Sequence, residues 1–160
     1  MIRIRPLAET PHLIEIARWL HAEWWRAEGW TLEATAAFLR AATGPAAPAC
    51  FVAEADGVPG GVPVGTATLD TDDLPSRRDL TPWLASVLVA PGWRGRGVGD
   101  ALVRHVETAA ASLGHQRLWL ITPDSEAFYA ARGWARAGIE TWQGRQVPLM
   151  MKSLGAAQRD

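Results

Sequence analysis

Apolar residues change their spacing several times along this chain, and each change marks an element. Met1-Ile2-Arg3-Ile4-Arg5 alternates, which predicts a first strand over Ile2 to Arg5. Leu13, Ile16, Ala17, Leu20 and Trp24 then fall three or four apart, a helical stripe that runs up to Gly29. Thr10 followed by Pro11 predicts the start of that helix, as N-cap and first helical residue. Thr31 predicts the cap of a second helix, from Leu32 to about Ala42, ended by Gly44-Pro45. Three strand-like runs follow: Ala49 to Ala55, Val62 to Leu69 and Trp83 to Val89. The first two are joined by the turn-rich Asp56-Gly57-Val58-Pro59-Gly60-Gly61, a hairpin connection. Between the second and third lies a polar, acidic loop, Asp70 to Thr81.

The helical period returns at Val98, Leu102, Val103, Val106, Ala110 and Leu113, and Gly114 stops it. Arg117 to Ile121 reads as a strand and Ser125 to Arg132 as a short helix closed by Gly133. Two last strands lie near Trp134 to Trp142 and Val147 to Lys152, and the tail from Gly155 to Asp160 is expected to fray. There is no internal repeat and no linker long enough to divide domains.

The third strand-like run, closed by Ala90-Pro91-Gly92, passes into a helix through Arg94-Gly95-Arg96-Gly97-Val98-Gly99. A glycine-rich turn in that place aims backbone N–H groups and the positive end of the helix dipole at one point. Glycines also leave an anion room to reach the backbone. A nucleoside-triphosphate loop would need Lys-Ser/Thr after its last glycine, whereas Asp100 follows Gly99 and the only lysine is Lys152. A dinucleotide turn would need G-x-G-x-x-G, but the third position falls on Asp100 or Leu102. Arg-x-x-Gly-x-Gly remains, on Arg94, Gly97 and Gly99, with a plain strand-to-helix joint as the alternative.

Size and charge narrow the classes. With 160 residues, 48% of them hydrophobic, the chain suits one domain with a real core. A net charge of −1 argues against nucleic acid as partner. The single cysteine, Cys50, excludes an intrachain disulfide and a cysteine metal cluster, and its apolar run predicts a buried structural thiol. No metal site is expected. No 18-residue apolar window and no signal-peptide core occur, so the expectation is a soluble, cytoplasmic protein with no membrane partner.

Arg94-x-x-Gly97-x-Gly99 resembles the acetyl-CoA pyrophosphate signature of the GNAT family of N-acetyltransferases. Ala127-Phe128-Tyr129-Ala130-Ala131-Arg132-Gly133-Trp134 resembles the family's F-Y-x-x-x-G-[FW] run. Pro82-Trp83-Leu84-Ala85-Ser86-Val87 resembles its fourth strand, and Val64-Gly65-Thr66-Ala67 its third. The order of elements matches as well, from Ile2 to about Leu154. The resemblance implies an α/β (α+β) acetyltransferase fold over residues 1–154, with a mixed central sheet of about seven strands flanked by about four helices. Residues 155–160 are left as a short tail.

The same resemblance implies acetyl-CoA as cofactor and a primary amine, on a small molecule or a peptide, as acceptor. Pyrophosphate is then expected on the N–H groups of Gly95, Arg96, Gly97, Val98 and Gly99, with Arg94 and Arg96 adding charge. Leu88 and Val89 are expected to offer backbone N–H groups to the pantetheine arm and the thioester oxygen. Tyr129, the only tyrosine, is the candidate general acid, with an amphipathic packing ring as the alternative. For the base the chain offers His21 or Glu23, or a water held by Ser86. Family members often carry an asparagine shortly before the tyrosine; this chain has none, and Thr122 or Ser125 is the substitute unless both serve only to start a helix. Asp100 is expected to face away from phosphate.

Trp19, Trp24, Trp25 and Trp30 cluster where the family builds its acceptor wall, and Trp83 and Trp142 are candidates for the same space. Core packing is the competing account of these rings. Asp70, Asp72, Asp73 and Asp79 can steer a cationic amine or simply form a solvated loop. A homodimer through the last strands is possible. Two other classes stay open: a non-catalytic acyl-CoA sensor, and an interaction module that uses exposed aromatics.

Overall fold

A computed structural model describes residues 1–155, and the expected fraying of the tail falls mostly outside them. The described chain forms β1 (Ile2–Pro6), α1 (Leu13–Leu20), α2 (Leu32–Ala41), β2 (Ala49–Ala55), β3 (Val62–Asp70) and β4 (Trp83–Val89). It continues through α3 (Val98–Ser112), β5 (Arg117–Ile121), α4 (Glu126–Ala130), β6 (Ala135–Trp142) and β7 (Arg145–Ser153). Seven strands make one sheet in the order β1-β2-β3-β4-β5-β7-β6. All neighbours are antiparallel except β4 and β5, which run parallel because α3 crosses over between them. The mixed sheet and its four α-helices are those expected.

The period-two alternation of β2 divides its side chains between two layers. Cys50 and Val52 pack with Leu7, Ile16, Ala17, Leu20, Ala36 and Leu39, beneath α1 and α2. Phe51, Ala53 and Ala55 pack on the other face with Leu102, Val103, Val106 and Ala110 of α3. Cys50 is a buried thiol beside Thr66, as expected, and burial pushes its pKa up. Gly65 of β3 is required by the approach of α3. A Cβ there would stand 2.9 Å from Leu102 Cδ1, 3.0 Å from Val98 Cγ1 and 3.2 Å from the Leu88 carbonyl oxygen.

The start of α1 differs from expectation. Thr10 does not cap it; its hydroxyl donates to the Leu7 carbonyl at 2.8 Å and closes a short 3₁₀ turn, so the helix begins at Leu13. The helix also does not run on regularly to Gly29. From His21 to Trp25 it opens into a π-helical turn, marked by Arg26 N–H donating to the His21 carbonyl. Thr31 does cap α2, its hydroxyl accepting from Ala34 N–H at 3.0 Å. β7 starts at Arg145, because Gln143 and Gly144, with φ of 50° and 75°, make a two-residue hairpin turn after Trp142.

Candidate active site

β4 changes character halfway along. Trp83, Leu84 and Ala85 are buried and lie in the sheet, but from Ser86 onward the strand is half-exposed. Two residues, Ser86 and Val87, stand opposite the single Ala67 of β3. Ser86 takes φ of 55°, a left-handed conformation that a serine adopts at a cost. On its other side β4 meets β5 at one register position, Trp83 opposite Trp119, and then the two strands part.

The parted strands open a cavity of about 780 Å³. Ala90 N–H donates to the Val64 carbonyl at 2.8 Å, so strand alternation puts the Leu88 amide in the ladder with Thr66. Val89 then turns its amide to the open side. Its carbonyl accepts from Arg94 Nε at 3.2 Å. Of the two amides expected to face a ligand, the open one is Val89.

At the Val89 end stands the glycine turn. Gly95 and Gly97 have φ of 75° and 83°, and nothing lies within 4 Å of where a Cβ would be on either. The first N–H groups of α3 have no partner inside a helix, and Val98 and Gly99, which carry two of them, line the cavity. Arg94, Gly95, Gly97, Val98 and Gly99 line the cavity; Arg96 does not, its guanidinium instead lying 4.8 Å from the centroid of the Trp93 ring. The donor set and the room left beside Gly95 and Gly97 fit a pyrophosphate.

Asp100 reaches the cavity wall rather than turning fully away. It accepts from Arg132 Nε at 2.8 Å and lies 3.2 Å from Arg104 Nε, so its charge is balanced on both sides. Arg132 also covers the Phe128 ring at 3.6 Å and donates to the Phe128 carbonyl at 2.7 Å. This clamp was not singled out from sequence, where Arg132 is an ordinary residue near the end of a helix.

Tyr129 sits in the same cavity, 8% exposed, edge-on to Phe128 and to Trp134. Burial pushes its pKa up to about 12, against a smaller opposing effect of Arg132. Among the described residues its hydroxyl has no hydrogen-bond partner, and it is not sealed from the cavity. Thr122 and Ser125 both line the cavity, but Thr122 Oγ1 already accepts from Ser125 N–H at 2.9 Å as α4 begins. Ser86 lines it too.

His21 does not. Its Nε2 lies 2.9 Å from the Trp30 carbonyl oxygen and ties down the turn after α1. The residues that reach the cavity from this turn are Glu23, Trp24, Trp25 and Glu28. Trp142 and Asp73 join them from other segments of the chain, whereas Trp19, Trp30 and Trp83 stay outside; Trp83 is fully buried. Burial pushes the Asp73 carboxyl up to about 7, helped by the neighbouring charges of Asp70, Glu28 and Asp72. Glu28 is raised by burial, partly opposed by Trp142. Among the described residues no cluster of three or more His, Cys, Asp or Glu is arranged to hold a metal ion, and no helix is long and apolar enough to cross a membrane.

Comparison with known proteins identifies the family and the fold. The sequence profile of the Acetyltransferase (GNAT) family matches residues 11–134. An amino-acid acetyltransferase of Ralstonia nicotianae is 33% identical over 79 residues, 43% of this chain; the match spans 18% of that relative's length. An acetyltransferase of the GNAT family from Streptococcus pneumoniae superposes with a TM-score of 0.68 at 18% identity, covering 97% of this chain and 100% of that one. N-acetylglutamate synthase from Neisseria gonorrhoeae, solved with coenzyme A and N-acetyl-glutamate, gives 0.68 at 19% identity, over 97% of this chain and 35% of that one. With the profile spanning most of its length, the chain belongs to the GNAT family of acetyltransferases.

Proposed function

We propose that the protein moves an acetyl group from acetyl-CoA directly to a primary amine while both are held in the one cavity. The observation that carries this reading is that the glycine cradle, the free Val89 amide and the Tyr129 hydroxyl all open into the same space. When bound, acetyl-CoA supplies an activated acetyl group, whose transfer breaks a C–S bond, forms a C–N bond, takes a proton from the amine and returns one to sulfur.

The chain's residues divide the remaining work. Gly95, Gly97, Val98 and Gly99 hold the pyrophosphate by backbone donors, with Arg94 adding charge. Val89 N–H, turned to the open side of β4, would donate to the thioester carbonyl oxygen and stabilise charge developing on it. Tyr129, protonated throughout the neutral range, is a proton donor toward sulfur. Ser86, on the bulge, is placed to hold a water that accepts the amine proton. Holding both partners in one orientation is itself worth up to about 7–11 kcal/mol in well-organised sites.

Release of free thiol from acetyl-CoA in the presence of a panel of amines tests the reading. Turnover with at least one amine is expected. A thermal shift with CoA but no turnover with any amine would favour a non-catalytic acyl-CoA sensor, and neither signal would sink both.

A further inference from the structure

The cavity has a second end, and its chemistry is one-sided. β4 runs from Trp83, paired with Asp70, to Val89 at the cradle, a distance of roughly 20 Å for a strand of this length. Around the Trp83 end the lining side chains with charge are Glu23, Glu28 and Asp73. The lining arginines, Arg94 and Arg132, belong to the cradle end, where Arg132 is held by Asp100. Nearby Arg77 and Arg78 do not line the cavity; Arg77 is paired with Asp79 and Glu140, and Arg78 with Asp72.

Asp73 differs from an ordinary loop aspartate. It is enclosed by protein on most sides, keeps an opening to the cavity, and has no hydrogen-bonding or ionic partner among the side chains described. A carboxylate held partly out of water without a partner is unfavourable, and a cation beside it offsets that cost. Three indoles, Trp24, Trp25 and Trp142, line the same end, and aromatic rings are favourable neighbours for a cation. Glu23 and Glu28 stand nearer the surface.

We propose that this end binds an acceptor amine carrying a second positive charge, of the di- or polyamine class, with Asp73 holding one ammonium group and Glu23 and Glu28 the other. The proposal rests on the acetyltransferase reading above and specifies its acceptor. It also sets this chain apart from relatives named for amino-acid substrates. An acceptor with its own carboxylate would meet three acids here and no base to hold it.

Calorimetric titration, with and without saturating CoA, tests it using 1,4-diaminobutane, n-butylamine and L-glutamate, with CoA itself titrated separately. The diamine is expected to bind at least tenfold more tightly than n-butylamine, and glutamate to give no heat of binding. Asp73→Asn and Glu28→Gln should each weaken the diamine at least fivefold while leaving CoA affinity and the circular dichroism spectrum unchanged. Equal affinity for the two amines, binding of glutamate, no binding of the diamine, or folded variants that bind it as the parent does would each overturn the proposal. If CoA binds normally in those cases, the acetyltransferase reading survives; if CoA does not bind, both fail together.

Discussion

The two ends of the cavity are built from different materials. The cradle end is made of main chain: glycines with positive φ, the first amides of α3, and the Val89 amide freed where β4 leaves β5. The far end is made of side chains from three separated segments: the turn after α1, the loop after β3 and the end of β6. Main chain binds what every member of a fold family must bind. Side chains borrowed from loops can be exchanged without disturbing the sheet, so they are where substrates are chosen.

Substitutions should separate the two ends. The largest effect is expected between them, from Tyr129→Phe: turnover falling by about 10²-fold with the KM for acetyl-CoA nearly unchanged. A loss shared equally by KM would instead place the ring in binding. Next is Gly97→Val at the cradle, which imposes about 1–2 kcal/mol of backbone strain and fills the open space with a side chain. CoA affinity should fall at least tenfold while diamine binding is retained, as titration of each ligand alone would reveal.

At the far end the effect is smaller and depends on pH. The Asp73 carboxyl, raised from 3.8 to about 7, binds a proton in the folded state that the unfolded chain has released, so its contribution to stability falls as pH rises from about 4 through 7. Asp70, Glu28 and Asp72 face it and add to the repulsion. Asp73→Asn should therefore match the parent near pH 4 and melt a few degrees higher at pH 8, about 1–2 kcal/mol after allowance for its contact with water. Melting curves that stay parallel across that range would contradict the assignment. Least disruptive to chemistry is His21→Ala, expected to cost about 1 kcal/mol of stability through the lost bond to Trp30, with turnover within twofold of the parent. A large drop in turnover at unchanged stability would return His21 to the list of bases.

That order follows how much each region could be read from sequence. β4 and β5 have their predicted bounds because an apolar run between Pro82 and Ala90-Pro91, and another between Gln116 and Thr122-Pro123, leave the strand nowhere else to stop. The cradle was legible because its glycine spacing sets the positive φ values that keep it open. The π-helical turn at His21–Trp25 leaves no comparable mark, and so of the two bases offered together Glu23 reaches the cavity while His21 turns to the Trp30 carbonyl. Asp73 and Asp72 are neighbours in one acidic loop, and nothing local distinguishes the one that lines a cavity from the one that pairs with Arg78. Arg132 was hidden for the same reason: its partner Asp100 is 32 residues away.

The parting of β4 from β5 has a mechanical consequence. A single rung, Trp83 to Trp119, stitches the β1–β4 half of the sheet to the half formed by β5, β7 and β6. The molecule thus has a seam down its middle, with α3 as the strap across it. Residues of both halves line the gap, so a ligand held by both would act as a wedge glued to each, adding about 2.7 kcal/mol of stability at a hundredfold excess over its Kd. Loading such a site and fastening the two halves together would be one event.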